Sequence, residues 1–137
     1  MTLADLSSEF AAEVADLHEF SQDWFTGSNG RSIEEFPDRL DLSFAIVAPT
    51  GDVSDRDTIV DLVRSAARSS QMRISTRDAR LSYADPVMLG TYTERHESPD
   101  SVSERLATAA MVRDDSAPTG FRWLLVHETW LSIEPRT

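Results

Sequence analysis

One stretch limits the folds open to this chain more than any other: Gly120-Phe-Arg-Trp-Leu-Leu-Val-His-Glu-Thr-Trp-Leu131. It follows a Pro118-Thr-Gly120 turn signal and is dense in β-branched, aromatic and aliphatic residues, which predicts a long strand. Strict alternation puts Phe121, Trp123, Leu125, His127 and Thr129 on one face, and Arg122, Leu124, Val126, Glu128 and Trp130 on the other. Both faces are largely apolar. A strand serving one core alone would keep one polar face. This one is therefore expected in mid-sheet, with helices on one side and a partner on the other.

The rest of the chain supplies those helices. In residues 3–26, Leu3, Leu6, Phe10, Val14, Leu17 and Trp24 recur mostly at spacings of three and four, flanked by Asp5, Glu9, Glu13, Asp16 and Glu19. That pattern predicts an amphipathic helix lying across a sheet, stopped by Gly27-Ser-Asn-Gly30. Ser32-Ile-Glu-Glu35 reads as a capping box for a short second helix that Pro37 limits. Residues 42–48 form a first strand, closed by Pro49-Thr-Gly51. Ser54, Asp55 and Asp57 then cap a third helix carrying Ile59, Val60, Leu62, Val63, Ala66 and Ala67. Four strands follow, at about 71–83, 86–97, 103–114 and 120–132, with turns at Ala84-Asp-Pro86, Ser98–Ser101 and Asp115–Gly120. The order α-α-β-α-β-β-β-β implies one α+β domain over 1–137, with three helices gathered on one face of a curved antiparallel sheet.

Composition removes several function classes. Among 137 residues there is no Cys, hence no disulfide framework, thiol nucleophile or Cys-ligated metal. Acidic residues number 24 against 13 basic ones, all of them Arg, for a net charge of −11. Such a surface repels phosphates, so nucleic acid is not an expected partner. The missing Lys fits either a GC-rich genome or a salt-adapted cytoplasm. Apolar runs fall far short of the roughly 18 residues a membrane span needs, and Met1–Asp5 lacks the basic and apolar regions of a signal peptide, which gives a cytoplasmic expectation.

The element order resembles the cystatin-type α+β cone of the nuclear transport factor 2-like superfamily, over nearly the whole chain. Trp123-Leu-Leu-Val-His127-Glu-Thr-Trp130 resembles the Trp-x-x-x-His ending of SnoaL-like proteins, and is similar to the association domain of calcium/calmodulin-dependent kinase. Met88-Leu-Gly-Thr-Tyr-Thr-Glu94 resembles the third-strand segment of that group. The resemblance implies a pocket under the first helix, lined by the strand face opposite the Trp-x-x-x-His pair. Here that face holds Tyr92, Glu94, Thr108, Leu124, Val126, Glu128 and Trp130. Kinase association domains carry arginines at positions matching Glu94, Thr108 and Trp130, and none is Arg here. The aspartate base and oxyanion hole of ketosteroid isomerases have no counterpart in spacing.

Within that frame Glu94 and Glu128 are the candidate catalytic acids. A carboxylate in an apolar cone has its pKa raised, which suits acid–base work near neutral pH. The competing reading is salt bridges to Arg95, Arg105 or Arg122. Trp24, Tyr92 and Trp130 would wall a flat apolar ligand, and Thr108 would donate one hydrogen bond; the competing reading is ordinary core. His18 sits beside the helix stripe and His96 near a strand end. The three His are too scattered for a metal pattern and the five Gly form no phosphate loop, so neither metal nor cofactor is expected.

The expected function is a cone that binds a small, mostly apolar molecule, with cofactor-free isomerase, dehydratase or hydrolase chemistry. The alternative is a non-catalytic ligand-binding or dimerisation module, with the cone plugged by Trp24, Phe44 and Trp130. A homodimer is expected through the outer sheet face, with Trp123 at its centre beside Leu125 and His127, extended by Ala107, Ala109 and Met111.

Overall fold

In a computed structural model of the chain, which describes residues 2–26, 32–66 and 72–135, the N-terminal stripe forms helix α1, Leu3–Thr26. Thr2 and Asp5 cap it reciprocally, each side chain accepting the other's backbone N–H at 3.1 Å. Phe10, Val14, Leu17, Phe20 and Trp24 are buried along one face, as the spacing predicts. The Gly27–Gly30 stop lies outside the described residues.

The second helix is instead two 3-10 turns, Ile33–Glu35 and Pro37–Arg39. Ser32 caps the first, accepting from the Glu34 N–H. Pro37 has no N–H to offer, so the turn cannot continue as an α-helix. Strand β1 (Leu40–Val47) and a short β2 (Val53–Asp55) come next, joined by a turn in which Gly51 has φ 92°. Helix α2 spans Arg56–Ser65, with the Asp55 side chain accepting from the Thr58 N–H at 2.9 Å and Val60 and Val63 buried. Ala67 lies outside the described residues.

The remaining strands are β3 (Arg73–Tyr83), β4 (Met88–Glu97), β5 (Ser101–Arg113) and β6 (Phe121–Pro135). The sheet order is β2-β1-β6-β5-β4-β3. β6 lies inside the sheet, between β1 and β5. The sheet is mixed rather than antiparallel, because β1 runs parallel to β6. Gly90 marks a close helix–sheet approach: a Cβ there would lie 2.5 Å from the Arg80 carbonyl oxygen and 2.6 Å from the Phe10 ring.

A bulge in β6 overturns part of the expected face assignment. Ala110 pairs with Leu125 but Met111 pairs with Trp123, so Leu124 is the extra residue and the alternation resets there. Trp123 therefore joins Val126 and Glu128 on the helix-facing side. It is fully buried, and its indole N–H donates to Glu13 Oε2 at 2.8 Å. Ala107, Ala109 and Met111 are fully buried with it. The outer face keeps Leu125, at 39% exposure, together with His127 and Thr129. A second break in register, between Glu104 and Arg105, skips Leu131 and pairs Arg105 with Trp130.

Candidate functional site

Between α1, the 3-10 turns, α2 and the concave face of the sheet lies a cavity of about 370 Å³. Its walls are mostly aliphatic and aromatic, with Leu17, Phe36, Phe44, Val63, Trp123 and Val126 among them. Into this apolar space project Tyr92, Glu94 and His96 from β4, Arg105 from β5, Glu128 from β6, and His18 from α1. The register explains the grouping. Glu94 pairs with Arg105 and Arg105 with Trp130, while Tyr92 pairs with Ala107 and Ala107 with Glu128. Two adjacent rungs thus carry Tyr92, Glu94, Arg105 and Glu128 onto one face, and the next rung, His96 opposite Ser103, adds His96. The small side chain of Ala107 leaves room between Tyr92 and Glu128.

Glu94 is held at both oxygens. His18 Nε2 lies 2.5 Å from Oε1, and His96 Nε2 lies 2.5 Å from Oε2. The Val14 carbonyl, 2.8 Å from His18 Nδ1, can only accept, so Nδ1 carries a proton. The short contact on the other side then joins an imidazolium to a carboxylate. Burial alone would favour neutral forms for both partners. For His18 it is outweighed by the charge and hydrogen bond of Glu94, the Val14 carbonyl and the charge of Glu128, so its pKa rises above the ordinary value. For Glu94 burial is outweighed by His18 and His96, and its pKa falls far below the ordinary carboxylate range. The expected raised pKa of Glu94 is thereby corrected.

Glu128 behaves in the opposite way. Burial and the charge of Glu94 push its pKa up, against the opposing pull of Arg105 and His96. Its cationic contact among the described residues is long: Arg105 Nη1 donates to Oε1 at 3.3 Å. Tyr92 is buried beside both acids, and burial with their charges keeps its phenol protonated well above pH 10. The His18 ring stands edge-on to Tyr92, centroids 5.2 Å apart, which fixes its tilt.

The other sequence-nominated residues are less central. Trp24 packs behind the cavity, its indole N–H donating to the Val63 carbonyl at 2.6 Å. Trp130 is not among the cavity-lining residues; it is 40% exposed, with the Arg105 guanidinium 4.8 Å from its ring centroid. Thr108 does not line the cavity. It pairs with Thr91 and His127, between the inward Ala107 and Ala109, and so points to the outer face. Of the three arginines proposed as salt-bridge partners, only Arg105 meets a candidate acid. Arg95 bonds Glu97, and Arg122 bonds Asp41 and Asp114.

Sequence reasoning passes over His18, His96 and Arg105 as cavity residues. A signal exists for two of them. His96 shares the parity of Glu94, and His18 lies four residues after Val14 on the stripe edge. Among the described residues, no group of three or more His, Asp or Glu side chains has the geometry to hold a metal ion. None of their helices is long and apolar enough to cross a membrane.

No protein-family model matches the chain, and no curated protein does. Solved structures do. A protein of unknown function from Pseudomonas aeruginosa, described as NTF-2 like, superposes with a TM-score of 0.79 at 24% identity, covering 90% of this chain and 99% of its own. A scytalone dehydratase-like protein from Novosphingobium aromaticivorans gives 0.69 at 11% identity, covering 100% of this chain and 93% of its own. The hub of the calcium/calmodulin-dependent kinase CaMKII from S. rosetta gives 0.62 at 14% identity, covering 93% of each. These likenesses, with TM-scores from 0.62 to 0.79, give this chain the nuclear transport factor 2-like fold.

Proposed function

We propose that the cone binds a small, mostly apolar molecule and moves a proton on it, in isomerase, dehydratase or hydrolase chemistry, with the chain's own side chains as acid and base. The observation that carries this reading is the divergence of two carboxyls in one cavity. Glu94 is fixed as an anion between two histidines, while Glu128 is pushed toward holding a proton. Pairs of titratable groups driven apart in this way mark acid and base assignments.

Both oxygens of Glu94 are engaged, so it serves to hold His18 protonated rather than to act as base. Glu128 is the base: it takes a proton from a carbon of the ligand. The His18 imidazolium, or the Tyr92 hydroxyl, supplies a proton to an oxygen of the same ligand. In an isomerisation Glu128 returns its proton at a second carbon while the oxygen gives its proton back to His18 or Tyr92; in an elimination the protonated oxygen leaves as water. The scytalone dehydratase-like neighbour brings water elimination within the chemistry this fold supports, by analogy of fold alone.

The test uses small cyclic ketones in deuterated buffer, followed by proton NMR. Exchange at the carbon next to the carbonyl is expected with the native protein and lost with Glu128→Gln. Exchange that persists unchanged in Glu128→Gln would contradict the assignment of the base.

Assembly is a second, compatible reading. Leu125 and His127 stand exposed on the outer face, and the S. rosetta relative is a hub. We propose a homodimer over this face, without the Trp123 centre expected from the alternation. Light scattering is expected to show a dimer that Leu125→Arg dissociates; a native monomer at micromolar concentration would contradict it.

A further inference from the structure

We propose that Arg105 is the anchor for an acidic oxygen on the ligand, so that the molecule the cone takes is an apolar body bearing one carboxylate, enolate or phenolate group. This rests on the reading of the cavity as a ligand site and narrows the class of ligand.

Arginine presents five N–H donors in a rigid fork and carries no acceptor. Arg105 lines the cavity and is largely buried, its side chain 16% exposed. Among the described residues its Nε is buried and has no hydrogen-bond partner, and its contact to Glu128 is at the long limit of 3.3 Å. The Trp130 ring lies over the guanidinium, 4.8 Å from centroid to Cζ. A buried donor left unmade costs the full desolvation of that group, so the arrangement is completed by an acceptor arriving from the cavity.

The charges around it specify what kind of acceptor. The carboxylates within the cavity are Glu94 and Glu128. Glu94 is committed through both oxygens to His18 and His96. Glu128 reaches Arg105 through that one long contact at Nη1, which leaves the Nε donor of the guanidinium unmet among the described residues. Bidentate, charge-assisted hydrogen bonding to a planar anionic oxygen pair is the interaction a guanidinium makes best. The remaining wall is apolar, and the volume of about 370 Å³ falls at the small end of ligand pockets. The ligand is thus a small, mostly hydrophobic acid or a molecule that becomes one as its proton leaves. In the second case the same contact stabilises the anion formed when Glu128 takes the proton.

The long-range field works the other way. The protein carries −11 overall, so distant charges disfavour an anion. Any preference for an anion over its neutral isostere must come from a cation inside the cavity.

The experiment compares 2-naphthoate with 2-naphthalenemethanol, titrated by tryptophan fluorescence and ligand-observed NMR in ~0.15 M salt, where surface charges more than about 8 Å away are screened. Native protein is expected to prefer naphthoate by about tenfold or more, the scale of one charge-assisted hydrogen bond. Arg105→Met should erase the preference while leaving the alcohol bound, and Arg105→Lys should retain part of it. Circular dichroism and the retained alcohol affinity establish that each variant is folded. Should Arg105→Met not fold, Arg105→Lys becomes the deciding variant, and it must weaken naphthoate more than the alcohol. Equal affinity of native protein for both probes would overturn the proposal and leave the ligand site standing. Undiminished preference in Arg105→Met would overturn it as well. Failure of both probes to bind at millimolar concentration would overturn the cavity reading together with this one.

Discussion

Two buried carboxylates, one on the helix and one on the sheet, are held in contrasting ways. Glu13, on α1, accepts from Arg39 Nη2 at 2.9 Å and from the Trp123 indole at 2.8 Å. Arg39 is fully buried and also bonds Asp16 at 2.9 Å. Glu94, on β4, is held by two histidines and opens on a cavity. A guanidinium keeps its charge at any working pH; an imidazolium does not. The first site is therefore a fixed strut between helix and sheet, the second a titratable one. Even their leftover donors differ. The Nε atoms of Arg39 and Arg105 are both unpartnered among the described residues, but only Arg105 lines the cavity.

The largest expected effect comes from breaking the strut. Arg39→Met leaves Glu13 buried without its cation and should cost about 3–5 kcal/mol of stability. Urea unfolding at several pH values checks this, and the loss should stay nearly constant between pH 6 and 9.

His18→Phe should cost less, about 1–3 kcal/mol near pH 6, since His96 still bonds Glu94. Its loss should depend on pH. The folded-state pKa of His18 lies above its ordinary 6.5, so its contribution is complete below that value and disappears as pH rises through the raised one. Glu94 works from the other side: held below its ordinary 4.5, it contributes above that value and loses the contribution as pH falls through the depressed one. The pair is strongest between about 4.5 and 6.5. A flat difference between native and His18→Phe from pH 6 to 9 would erase the contrast with Arg39.

Glu128→Gln should change stability little, and in a direction set by pH. The raised pKa of Glu128 means that ionisation disfavours the folded state, so stability falls as pH rises from 4.5 through the folded value. The variant should equal the native protein in acid and match or exceed it at pH 8, which thermal melts will show.

Salt should have the smallest effect of all. Screening the self-repulsion of a −11 surface is expected to raise the melting temperature by a few degrees between low and molar potassium chloride. Both buried sites are shielded, so Arg39→Met and His18→Phe should show the same increment.

Much of this architecture is legible in the order of residues alone. The stripe from Leu3 to Trp24 marks α1 at its observed ends, and the turn signals mark five of the six strands to within a few residues, missing only the short β2. What escapes are departures from period. Alternation along 120–131 is broken at Leu124 by a bulge that leaves no residue signature, so a parity count sends Trp123 to the wrong face. The same count fails for Thr108, which lies on β5 opposite a strand already reset. Glu13 and Asp16 read as the solvent flank of α1 because a burying cation 26 residues from Glu13 cannot be inferred from helix spacing. The candidate site is half visible. Tyr92, Glu94 and Glu128 share one face by simple alternation, whereas the direction of each pKa depends on which partner arrives from another element. His18 decides Glu94, and it sits 76 residues earlier in the chain.

That one cavity drives two carboxyls apart is tested most directly by a carbon-13 NMR titration of the Glu94 and Glu128 side-chain carboxyls in the native protein, assigned with Glu94→Gln and Glu128→Gln. Glu94 is expected to stay ionised well below 4.5 while Glu128 titrates above it. Coincident titration of the two, or Glu94 titrating above Glu128, would contradict the divergence on which the proposed chemistry rests.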